Sequence, residues 1–98
     1  MNRIEKLFKD KAIFKGGIVL FNKENALSFI IECEKNGNAI LGIDAFYLLE
    51  ETIQPSLENS IDFSSPEYQQ EVENIYSEAI NFLQSKTEKM FFEIVCVV

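Results

Sequence analysis

The chain has 98 residues, a formal net charge of −7 and no histidine. That length suits one domain over residues 1–98, near the lower end of sizes that build a core unaided, and nine Phe within 47% hydrophobic residues exclude a disordered acidic tail. The missing histidine excludes Ser-His-Asp and Cys-His nucleophile systems as well as His-ligated metal sites.

In chain order, Arg3–Asp10 reads as a short helix, because Ile4, Leu7 and Phe8 recur at i, i+3, i+4 and Lys6, Lys9 and Lys11 take the wet side. Ala12–Phe21 is ambiguous, since Gly16-Gly17 interrupts a strand-like stretch. Asn22 can cap a second helix over Lys23–Asn36, with Ala26, Leu27, Ile30, Ile31 and Cys33 on one face and Gly37 as its stop. Ala39–Leu49 is almost uniformly apolar and long enough for a central strand, with Asp44 at its middle. Glu50–Ser60 reads as a turn broken by Pro55. Ser60–Ser64 alternates as a short strand, placing Ile61 and Phe63 on one side and Asp62 on the other.

Ser65-Pro66 then signals a helix start. Tyr68, Val72, Ile75, Tyr76, Ala79, Ile80 and Leu83 continue at helical spacing to Lys86, which suits the negative end of the helix dipole. Met90–Val98 closes the chain as a strand apolar on both faces except at Glu93, and it should lie inside the sheet beside Ala39–Leu49. The expected fold is α+β: about three helices packed on a small sheet, with the C-terminal strand central.

The charge is localised. From Asn36 to Ser85 there are nine acidic residues and no Lys or Arg, whereas the first 35 residues carry seven bases against five acids. A one-sided field of this kind governs what approaches quickly and what is repelled. Nucleic acid is not an expected partner, because the bases are scattered and the acidic half repels phosphate. No apolar run approaches the roughly 18 residues that span a bilayer, so no membrane partner is expected. The charged start lacks the apolar core of an export signal. A cytoplasmic protein with reduced thiols at Cys33 and Cys96 is expected; the two could also form one disulfide.

Candidate chemistry rests on carboxylates. Asp44 sits among apolar neighbours, where a carboxylate is costly to bury unless paired. It either accepts backbone amides and faces solvent, or it is held on a rigid strand to meet a partner's cation. Gly42 shares its side of the strand and leaves space beside it. Glu50, Glu51, Glu58 and Asp62 surround Pro55 without the Asp-x-Asp-x-Asp-Gly spacing of a calcium loop. Nothing local distinguishes one of them as a general acid, so no catalytic, cofactor or metal residue is assigned and the chain is not expected to be an enzyme. On the long helix Glu67, Glu71 and Glu78 share a flank while Glu73 points elsewhere; a solvated face suffices for these. Lys15-Gly16-Gly17 is too short for a phosphate loop.

The stretch Gly42-Ile-Asp-Ala-Phe46, followed by Gln54-Pro55 and Glu58-Asn-Ser-Ile-Asp62, resembles a motif of small bacterial immunity proteins, the cytosolic antidotes to polymorphic or contact-dependent toxins. The resemblance spans about residues 39–64. It implies stoichiometric neutralisation of a cognate toxin domain, with Gly42, Asp44, Phe46, Gln54, Pro55, Glu58 and Asp62 as matching positions. Physics points the same way: a nuclease toxin presents a basic cleft, and a folded acidic surface can occupy it in place of phosphate. Asp44, Glu58 and Asp62 are the expected binding residues, and Glu50 and Glu51 the steering charges. A structural or regulatory interaction module, possible as a homo-oligomer, is the alternative.

Overall fold

The structure is a computed structural model that describes residues 3–64, 72–87 and 89–97. Its described elements are α1 (Arg3–Leu7), a 3-10 turn (Lys9–Lys11), β1 (Ile13–Lys15), β2 (Ile18–Asn22), α2 (Lys23–Asn36), β3 (Ile40–Leu48), β4 (Ile53–Asp62), α3 (Val72–Gln84) and β5 (Met90–Cys96). The fold is α+β, three helices on a five-stranded sheet of order β1-β2-β5-β3-β4 in which every neighbouring pair is antiparallel. The C-terminal strand is central, as its two apolar faces require. Among the described residues no helix is long and apolar enough to cross a membrane.

Local chemistry accounts for most boundaries. Gly16 and Gly17 hold φ of 56° and 78°, the left-handed pair that a two-residue hairpin turn needs. The ambiguous segment is therefore the β1–β2 hairpin. The Asn22 side chain accepts from the Asn25 N–H at 2.8 Å and starts α2, while Gly37 at φ 68° ends it. The end of α3 is capped from another element: Lys23 Nζ donates to the carbonyls of Gln84 and Lys86, at 3.0 Å each. Lys86 itself turns to Asn59 Oδ1 at 3.3 Å and lies 4.6 Å from the Phe82 ring centre.

One core cluster joins α1 through Ile4, α2 through Ala26, Phe29, Ile30 and Cys33, α3 through Ile75, Tyr76, Ala79 and Leu83, and the inner sheet face. That face presents Phe21, Ile43, Ala45, Met90, Phe92 and Ile94, the alternate residues of β2, β3 and β5.

Three expectations require correction. Residues 53–60 are not a turn: Pro55 lies within β4, opposite Phe46. Proline is tolerated there because β4 is an edge strand, where a missing N–H need break no ladder. Ile31 lies on the exposed side of α2, and Phe29 completes the buried stripe instead. Leu7 is 65% exposed, because α1 stops there and the chain tightens through Phe8 N–H to Glu5 O before the 3-10 turn. The expected helix start at Ser65-Pro66, with Glu67, Tyr68 and Glu71, lies outside the described residues.

Candidate functional site

The two halves of the Gly42–Asp62 segment are one antiparallel hairpin. Gly42 pairs with Asp62 and Phe46 with Pro55. Between them the register shifts, so that Leu57–Ser60 on β4 all lie opposite Asp44 alone. Serine chemistry holds this bulge. Ser60 Oγ accepts from the Ala45 N–H at 2.8 Å and donates to Ser56 O at 2.7 Å, and Asn59 Nδ2 donates to Ser56 Oγ at 2.9 Å. The bulge projects Leu57, which is 87% exposed, and Glu58 beside it.

Alternation turns Asp44 to the sheet face away from the helices, since its neighbours Ile43 and Ala45 are core residues. Directly across the β3–β5 ladder stands Glu93, and their side chains are hydrogen-bonded. Glu93 is pushed up from its ordinary value, first by its burial, then by the Asp44 charge, the hydrogen bond between the two side chains and the charge of Glu5. Glu93 was legible only as the single charge in an apolar strand; its pairing with Asp44 depends on register.

Asp62 ends β4 on the same face. Its Oδ1 accepts from the Ser64 hydroxyl at 2.6 Å and the Ser64 N–H at 2.8 Å, which hold its carboxyl below the usual range. Between the two acids runs a groove of about 350 Å³ lined by Leu41, Gly42, Asp44, Ile61, Asp62, Ser64 and Val95. Gly42 keeps β4 close: a Cβ there would meet Ile61 O at 3.0 Å. Its role is close strand approach rather than open space alone. Glu93 stands across the ladder from Asp44 and is not among the residues that line the groove.

The structure thus brings Asp44 and Asp62 to one groove, with Glu58 on the bulge opposite Asp44. It does not bring Glu50 and Glu51 there. Those two are exposed in the Leu49–Thr52 turn, closed by Leu49 N–H to Thr52 O at 2.9 Å, at the other end of the hairpin. Along β3 that is about 20 Å from Asp44 at the usual strand rise. Glu78 is exposed on α3. A cavity of about 360 Å³ at the start of α2, lined by Asn22, Lys23, Glu24 and Leu27, is less suited to a ligand. Its Asn22 and Lys23 side chains already cap α2 and α3.

Among the described residues no group of three or more His, Cys, Asp or Glu side chains could hold a metal ion. No family model matches the chain, and neither does any curated protein.

Proposed function

We propose that this chain is a cytoplasmic bacterial immunity protein of a polymorphic or contact-dependent toxin system, and that it neutralises a cognate basic toxin domain, a nuclease being the class that suits it best. It acts by binding, without a cofactor and without catalysis of its own. One observation carries this reading: Asp44 and Asp62 flank a groove on the sheet face away from the described helices, in a fifty-residue stretch that holds no compensating base. A lysine or arginine of the partner entering the groove would meet two carboxylates, one of them oriented by Ser64. Leu57 supplies an apolar contact at its edge, and Glu58, Glu50 and Glu51 add the field that speeds encounter.

The direct test is co-expression with the toxin domain encoded beside this chain. Wild type should restore growth and co-purify at one to one, and Asp44→Asn with Asp62→Asn should lose protection while remaining folded. Full protection by that double variant would remove the groove from the account.

A second reading, a homo-oligomeric interaction module, draws on the exposure of Leu41, Tyr47, Leu49 and Leu57 along the β3–β4 hairpin. Sedimentation of the chain alone separates the two, since a tight dimer would favour the module and a monomer the immunity reading.

A further inference from the structure

The two cysteines are 63 positions apart in sequence but meet at one end of the core. α2 ends at Asn36 and the chain reverses through Gly37, where the Asn38 N–H donates back to Cys33 O at 2.9 Å. Two residues further on, Ile40 begins β3 as the cross-strand partner of Cys96. This short path sets the last turns of α2 over the end of β5. Cys33 is fully buried in the core cluster, Cys96 is half-buried and packs against that cluster, and the two side chains are hydrogen-bonded to each other. Neither is in a disulfide. The elements that carry them are fixed independently, α2 by caps at both ends and β5 by a strand on each side.

We propose that Cys33 and Cys96 form an oxidative modification site that closes to an intramolecular disulfide by exchange with a small-molecule disulfide. Cys96, the more exposed, gives its proton to solvent, and its thiolate attacks one sulfur of oxidised glutathione. A mixed disulfide forms and one glutathione thiolate leaves. Cys33 then attacks the Cys96 sulfur, and its proton accompanies the second glutathione as it departs. One S–S bond of the reagent is exchanged for one in the protein, and two electrons pass from the protein thiols to glutathione.

The hydrogen bond from the Cys33 thiol to Cys96, then burial, push the Cys33 thiol up, so the second step is slow and the dithiol persists in a reducing compartment. Once closed, the bond staples α2 to the central strand and constrains most of the chain when it unfolds.

The folded, full-length protein is incubated with oxidised glutathione, quenched in acid, denatured and titrated for thiols, with intact mass and peptide mapping. The expected result is loss of both thiols, a linked Cys33–Cys96 peptide, no retained glutathione, a monomer on a non-reducing gel, and a melting temperature raised by on the order of 10 °C. Cys96→Ser should leave Cys33 unmodified, because the buried thiol is reached only through its partner. Stable glutathione on Cys96 with Cys33 still titratable, disulfide-linked dimers, two unreacted thiols, or a Cys33 adduct in Cys96→Ser would each overturn the proposal. Since Cys33→Ser could fail to fold, the wild-type titration and the half-buried Cys96→Ser position carry the test.

Discussion

β3 and β5 present two faces built from alternate residues of the same strands. Toward the helices stand Ile43, Ala45, Phe92 and Ile94, which pack with α2 and α3 into one cluster. Away from them stand Asp44, Phe46, Phe91 and Glu93, where an acid pair and an aromatic pair lie side by side on the ladder. The first face gains from the removal of apolar surface from water. The second keeps two carboxyl groups beside apolar surface, and Glu93 is pushed up there by its burial and by Asp44. A face built only for solvation would not place two carboxyls in direct register, because like charges opposite one another are destabilising. The comparison teaches that the sheet's inner face holds the fold, while its outer face spends some of that stability on presenting charge.

The largest effect that could break this comparison is truncation on the inner face. Phe92→Ala should cost about 3–5 kcal/mol in urea unfolding, since the ring is fully buried at the centre of the sheet. Phe91→Ala, one residue along on the outer face and half-buried, should cost clearly less. Equal losses would mean that the outer face is a second core. Gly42→Val comes next: its branched side chain would press on Ile61 O, where a Cβ alone already stands at 3.0 Å. A loss of about 1–3 kcal/mol is expected, with faster amide exchange along β4; unchanged exchange would show that the hairpin tolerates separation.

Glu93→Gln sharpens the outer face specifically. The folded protein holds the Glu93 proton above its ordinary value of 4.5. Its contribution is therefore fully present below that pH and is lost as pH rises through the raised value. Glutamine keeps the hydrogen-bond donor without ionising. The variant should match wild type in acid and become the more stable of the two as pH rises toward neutrality, as read from urea midpoints across the range. Parallel curves would mean that burial and Asp44 do not raise Glu93. The smallest effect belongs to Ser64→Ala, which removes the 2.6 Å hydroxyl bond and should let the Asp62 carboxyl move back up toward its ordinary value. An NMR titration of Asp62 that does not move would assign its orientation to the Ser64 N–H alone.

Much of the inner face was legible in the residues themselves. The caps Asn22 and Gly37 mark α2, and a nine-residue apolar terminus marks a central strand. The outer face was legible only in fragments. Asp44 and Asp62 stand out as charges among apolar neighbours, but the partner of Asp44 lies 49 positions away in sequence and is selected by strand register. Pro55 misleads because its usual meaning, a break, depends on whether a strand is central or at an edge, and that is decided by the whole sheet. The bulge at Leu57–Ser60 is held by Ser60, which bonds Ser56 O locally and the Ala45 N–H across the ladder, and that cross-strand bond was not legible in the sequence. Glu50 and Glu51, read as steering charges, lie at the opposite end of the hairpin from Asp62.

The measurement closest to the central claim is the association rate with the proposed cognate toxin domain, followed by stopped flow across a salt series. The wild-type rate should fall at least about tenfold between low salt and about 1 M, where the Debye length shrinks to about 3 Å. Asp44→Asn with Asp62→Asn should begin slower and lose most of that salt dependence. Wild type and variant falling together along one curve would contradict the claim that the Asp44–Asp62 groove is where the partner's charge is received.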